Sequence, residues 1–228
     1  MVSAIQGFRE CVVDAADAAQ GWSDAKKKSF APTESLQVEV QEKRDHFAQE
    51  IAHIDRDRLI FLDESGCNVA MTPSHGWAPR GHRVDDDKPA NWGKNISVIG
   101  AIRTDGLVCQ RRFRGSVNGP RFLDFIKRTL CPRLRRGDIV VMDNLRAHHI
   151  AAVADAISAC GATAWYLPPY SPDFNPIELL WAFLKRKLRR LKMRQVEPLL
   201  AAITKLLRRV PQSHFSRWFD NCGYLQRN

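Results

Sequence analysis

Leu59-Ile60-Phe61-Leu62 and Ile139-Val140-Val141-Met142 are unbroken apolar runs of strand length, and an aspartate, Asp63 or Asp143, follows each. A run that is apolar at every position, not at every second one, suits a strand covered on both faces. Such strands need helices on either side of their sheet, which confines the chain to a layered α/β architecture. The remaining signals fit. Residues 96–102 and 107–113 read as strands joined by Thr104-Asp105-Gly106, a hairpin sequence. Asn118-Gly119-Pro120 opens a helix to about residue 130, and residues 138–142 form the next strand. Residues 149–160 read as a helix stopped by Gly161, and 163–167 as a short strand ended by Pro168-Pro169. A long helix over 176–194 and two more, over 196–209 and 213–221, complete the chain. The expected fold is a mixed sheet flanked by helices, with an early antiparallel hairpin and later strands alternating with helices.

Upstream, residues 1–30 are a poorly patterned tail, alanine-rich and then basic at Lys26-Lys27-Lys28. Residues 31–56 form an amphipathic linker helix, with Leu36, Val40, Phe47, Ile51 and Ile54 at near-helical spacing. Residues 57–228 then make the compact domain, and 66–95 are a long irregular stretch rich in proline and glycine. The 228-residue chain is long enough to bury a real core. No apolar stretch approaches a membrane span and no secretory leader is visible, so a cytoplasmic location is expected. The cysteines lack metal-site spacing, and the simplest reading is reduced thiols. His75 and His82 have no matching ligand set, whereas His148-His149, soon after Asp143, fits either an approach to that acid or an ordinary surface or helix-start pair.

Asp63 and Asp143 are placed beyond the carboxyl ends of strands, where ligands gather in open sheets. Glu178 lies in the first turn of the long helix. Each acid has an ordinary explanation. Asp63 precedes Ser65-Gly66, a turn; Asp143-Asn144 can shape a turn or cap a helix; Asn175, Pro176 and Glu178 fit a capping box. Together, two strand-terminal aspartates and a helix-entry glutamate favour a metal site. Clustered carboxylates repel and need cations, and oxygen ligands suit Mg²⁺ or Mn²⁺. Two such ions can clamp the attacking and leaving oxygens of a phosphodiester. Glu64 alternates to the other face of its strand, while Asp85-Asp86-Asp87 and Asp173 read as solvated turns.

The chain is basic, with 35 Lys+Arg against 25 Asp+Glu, a net charge of +10 and a pI of about 9.6. Such a balance points to a polyanionic partner. Leu180, Trp181, Leu184, Leu188 and Leu191 form the apolar stripe of the long helix. Lys185, Arg186, Lys187, Arg189, Arg190, Lys192 and Arg194 follow Glu178 with no acid among them. A solvated helix face is the ordinary reading of such a run. An anionic membrane suits it less, because the apolar stripe is needed to dock the helix, and a phosphate backbone would relieve its self-repulsion. Arg80 beside Trp77, and Lys94 beside Trp92, add cation and aromatic pairs in the irregular stretch, suited either to stacking on nucleic acid or to pinning the loop.

Phe61-Leu62-Asp63-Glu64-Ser65-Gly66, Val141-Met142-Asp143-Asn144 and the block from Leu167 to Glu178, with Tyr170-Ser171-Pro172 and Asn175-Pro176-Ile177-Glu178, resemble the catalytic blocks of bacterial insertion-sequence transposases of the mariner superfamily. Gly76-Trp77-Ala78-Pro79-Arg80-Gly81 is similar to a loop of that family, and the 34 residues between Asp143 and Glu178 match its spacing. The resemblance spans roughly residues 26–228. It implies a ribonuclease-H-like fold and a catalytic, metal-binding triad of Asp63, Asp143 and Glu178. It also implies Mg²⁺ (or Mn²⁺), with two ions, for cutting double-stranded DNA at element ends and joining them to target DNA, usually at TA. The expected DNA contacts are Arg80, Lys94, Lys185, Arg186, Arg189 and Lys192, in a homodimer on DNA. Family members also carry a helix-turn-helix region. Residues 1–30 do not supply one, so a separate subunit or upstream frame is the expected source. The alternative is an inactive DNA-binding remnant or repressor; a third reading is a nuclease for RNA–DNA hybrids.

Overall fold

The computed structural model describes residues 33–93, 95–144 and 151–225. Lys94, the His148-His149 pair and the tail over 1–30 lie outside them. A five-stranded sheet runs in the order β3-β2-β1-β4-β5, built from β1 (Leu59–Cys67), β2 (Ile96–Arg103), β3 (Gly106–Arg114), β4 (Ile139–Met142) and β5 (Thr163–Tyr166). β1, β2 and β3 form an antiparallel meander, while β4 and β5 run parallel to β1. The mixed sheet expected from the apolar runs is therefore present.

Side-chain alternation divides the interior into two cores. Phe61, Cys67, Val98, Ile102 and Val141 face one side, where α4 (Ile177–Leu191), α5 (Val196–Arg208) and α6 (Gln212–Asn221) bury Trp181, Leu184, Ile203 and Phe219. Ile60, Leu62, Ile99, Val140 and Met142 face the other, under α2 (Gly119–Phe125) and α3 (Ala151–Ser158). Both faces being covered explains why β1 and β4 carry no polar alternation before their aspartates. The first helical segment is a 3₁₀ turn, Thr33–Leu36, followed by α1 (Val38–Ile51), whose Phe47 and Ile51 join the first core. Phe47 stacks on Phe174 and meets Trp165 edge-on.

Several boundaries differ from expectation. The helix after Asn118 is not continuous: α2 passes into a π turn at Ile126–Leu130 and a 3₁₀ turn at Cys131–Arg133, where Pro132 cannot donate a helical hydrogen bond. α4 ends three residues early, at Leu191, because Lys192 adopts a left-handed conformation with φ 47°. Leu191 is consequently exposed and does not belong to the buried stripe. Cys67, Cys109, Cys131, Cys160 and Cys222 are free thiols, as their scattered spacing implied. Among the described residues no helix is long and apolar enough to cross a membrane.

Candidate active site

β1 does not stop at Leu62. It continues to Cys67, so Asp63 lies within a strand and not at its end. The reason is that β1 has two different neighbours. Its parallel ladder with β4 finishes at Leu62↔Met142, whereas its antiparallel ladder with β2 goes on through Asp63↔Gly100 to Cys67↔Ile96. Asp63, still in β1, and Asp143, just past the end of β4, are thus the next positions after the shared ladder ends. In-register neighbours lie about 4.8 Å apart. The chemically relevant boundary is the end of the parallel pairing, which the apolar run of β1 marks even though the strand itself persists.

Glu178 enters from the first turn of α4. The capping box expected there is not made. Asn175 Oδ1 has no hydrogen-bond partner, and the Asn175 amide donates to the Pro172 carbonyl at 3.1 Å, leaving it unavailable to the Glu178 carboxylate. Glu178 instead stays exposed, within electrostatic range of both aspartates.

Asp63 is buried, and its carboxyl is pushed up from 3.8 to about 7. Desolvation is the main cause; repulsion from Glu178 and Asp143 adds to it, while hydrogen bonds from the Glu64 amide and the Trp181 indole oppose it. Although Glu178 is exposed, the protein around its carboxyl desolvates it enough to raise it too, with Lys185 working against the rise and Asp143 adding to it. The three carboxylates therefore feel one another. Among the described residues, however, no group of three His, Cys, Asp or Glu side chains is already set to hold a metal ion. In chemistry the donor set fits a hard divalent cation: three carboxylates, all oxygen, one nearly dry.

Trp181 is a residue whose site role the apolar periodicity concealed. Its indole Nε1 donates to Asp63 Oδ2 at 2.9 Å. Its six-membered ring lies against Gly100, where an added Cβ would come within 2.8 Å of Cη2. Glycine at 100 is what lets the ring reach the neighbouring strand. Gly100→Ala is accordingly expected to cost about 1–3 kcal/mol by overpacking. In a Trp181→Phe background the smaller ring vacates that space, and the same alanine should cost markedly less. Urea denaturation of the four proteins checks this; equal costs in both backgrounds would refute the contact.

The loop before α4 is held by α1. Arg44 donates to Asp173 Oδ1 and Oδ2 at 3.0 and 2.6 Å and to Ser171 Oγ at 2.7 Å, and stacks over Phe174 at 4.5 Å. Asp173 is a turn residue, as expected, but it is ion-paired, not merely solvated.

The expected DNA contacts divide. Arg186 and Arg189 are exposed on α4, and Lys185, half-buried, acts electrostatically on Glu178 and Cys67. Arg80 is exposed in the loop beside Trp77, which is fully exposed and so pins nothing. Lys192 differs: it pairs with Asp86 at 2.5 Å. Arg194 donates to the Val69, Met71 and Asp87 carbonyls. The end of the charge run thus anchors the loop after β1, and Asp86, exposed as expected of a turn residue, is also ion-paired. Sequence distance hid this compensation.

A protein-family model described as DDE superfamily endonuclease matches residues 58–200, and the chain belongs to that family. No functionally curated protein matches it in sequence. Among solved structures it is similar to the Mos1 transposase paired-end complex with left transposon end, with 17% identity, a TM-score of 0.73, and coverage of 88% of this chain and 63% of that one. The Mos1 mariner paired-end complex with Mn gives 17% identity and a TM-score of 0.72, covering 87% and 63%. The catalytic domain of Mos1 mariner transposase gives 14% identity and a TM-score of 0.61, covering 88% and 92%. The fold is thus ribonuclease-H-like. The chain spans 63% of the length of the first of these transposases.

Proposed function

We propose that this chain is the catalytic part of an insertion-sequence transposase that cuts double-stranded DNA at element ends and transfers the freed strand into target DNA. The observation that carries the reading is the meeting of Asp63, Asp143 and Glu178 in one electrostatic neighbourhood at the end of the β1–β4 ladder. The family match and the resemblance of the Tyr170–Glu178 block to mariner-superfamily transposases support it.

Asp63, Asp143 and Glu178 would hold Mg²⁺ or Mn²⁺, whose positive charge would activate water and stabilise a departing 3′ oxygen. Complexes with Mn and with Mg are described for the Mos1 neighbours, which supports divalent-ion use here. Asp63 contributes a buried carboxylate oriented by hydrogen bonds from the Trp181 indole and the Glu64 amide. Lys185, two turns beyond Glu178 on α4, would offset phosphate charge beside the triad. Arg186, Arg189 and Arg80 would contact the backbone more distantly. Lys192 ranks lower because Asp86 already neutralises it. The expected assembly is a homodimer on DNA, with end recognition by a helix-turn-helix region and a bacterial cytoplasmic setting.

Supercoiled plasmid incubated with Mg²⁺ or Mn²⁺ tests the reading. The chain is expected to nick it, and Asp63→Asn to reduce nicking by at least about a hundredfold while leaving DNA binding intact. Binding without nicking by the unmodified chain would sink the enzyme in favour of a DNA-binding remnant or repressor. Preferential cutting of RNA–DNA hybrids would sink it in favour of a hybrid nuclease.

A further inference from the structure

A second basic surface lies away from α4. Two open hollows of about 400 and 480 Å³ meet at Arg112 and Ala201, between β3 and α5. Arg112 and Arg114 project from β3, the outer strand of the sheet, and Lys205, Arg208 and Arg209 from the far end of α5. Glu197 is the one acid on the lining, and Arg114 already pairs with it. Arg112 donates to the Leu200 carbonyl and to Thr204 Oγ1, neutral acceptors that orient its guanidinium without cancelling its charge. Among the described residues Arg112, Lys205, Arg208 and Arg209 have no ion-pair partner.

Helix electrostatics accounts for only part of this. Cations in the last turn of α5 complement its carbonyl end. That does not explain two arginines arriving from a different element to face them. Four uncompensated like charges along one trough repel, and a polyanion lying in it would remove that cost.

The sheet register relates this trough to the candidate active site. Asp63, Gly100 and Gln110 share one row across β1, β2 and β3, and Ser65, Val98 and Arg112 share the next row on the same face. Two strand spacings of about 4.8 Å and one two-residue step of about 6.8 Å put the Arg112 backbone roughly 12 Å from that of Asp63. α5, which carries the other wall, packs beside α4.

We propose that the β3–α5 trough is a second binding site for the phosphate backbone of duplex DNA, holding the stretch next to the phosphodiester presented to Asp63. This inference rests on the DNA-cutting reading above and adds to it a track separate from the basic face of α4.

The test measures binding of a short linear duplex over a series of salt concentrations. It compares the unmodified chain, a trough variant (Lys205→Gln, Arg208→Gln, Arg209→Gln), and an α4 variant (Arg186→Gln, Arg189→Gln). Thermal melting confirms that each is folded, and glutamine replaces glutamate to spare the helix end. If the site is real, the trough variant binds about tenfold or more weakly at low salt. The slope of log affinity against log salt becomes shallower by roughly 0.9 for each phosphate that is no longer neutralised. Combining both sets should lower affinity and slope further. A trough variant with unchanged affinity and slope overturns the trough while leaving the DNA-cutting reading in place. If the unmodified chain binds no duplex, that reading and the trough fall together. Preference of the unmodified chain for phosphatidylserine vesicles over duplex, abolished in the trough variant, overturns the assignment in favour of a membrane surface.

Discussion

Melted in metal-free buffer, the chain is expected to lose stability as pH rises from 3.8 through about 7, and Asp63→Asn to abolish most of that loss. The sign follows from the raised carboxyl. Below 3.8 Asp63 is protonated in both the folded and unfolded chain, so burial costs no charge. Between 3.8 and about 7 the folded state keeps a proton that the unfolded state releases, and folding is progressively disfavoured. Above about 7 a carboxylate is buried against Glu178 and Asp143 and the penalty is complete, on the order of 4 kcal/mol at 1.4 kcal/mol per pKa unit. Glu178 contributes in the same direction, since it too is raised. Mg²⁺ or Mn²⁺ should reverse the loss at pH 8 by stabilising the ionised cluster, and should do less at pH 5, where protons compete. Differential scanning calorimetry of both proteins, with and without Mg²⁺, provides the measurement. The same pH slope in Asp63→Asn as in the unmodified chain would mean that Asp63 is not the strained group.

The second large effect is at the opposite end of β1 and β4. Arg103 Nη2 donates to Asp138 Oδ2 at 2.5 Å, and both side chains are almost wholly buried. The Arg135 amide donates to the same oxygen at 2.7 Å, which sets the turn into β4. Asp138→Ala leaves a guanidinium in the interior without its counter-charge, and Arg103 Nε already lacks a partner. The expected cost is about 3–5 kcal/mol. Replacing both residues, as Arg103→Met with Asp138→Leu, should recover most of it, because the buried charge is then gone. Chemical denaturation reads both. A single variant costing no more than an ordinary surface substitution would show that the pair is solvated in solution.

The apolar runs sufficed to predict the strands because both faces of the sheet are covered, and a doubly buried strand writes its burial into consecutive residues. Charge was legible too: the basic face of α4 follows from helical periodicity alone. Partnerships across the fold were not. Lys192 reads as a free cation because Asp86 is more than a hundred residues away, and Asp173 reads as a plain turn because Arg44 lies on α1. Trp181 falls on the apolar stripe by spacing, yet one atom of its ring system is polar and meets Asp63.

By itself the order of residues determined the layered architecture and the identity of the acids, since both depend on local pattern and on residue chemistry. Only the folded molecule decided that Asp63 stands in mid-strand, that the Asn175 side chain does not cap α4, and that β3 and α5 gather cations from segments distant in the chain. The apolar run of β1 marks where its parallel pairing stops, but how far its antiparallel pairing continues and which helix crosses which edge depend on partners distant in the chain, which local pattern does not record.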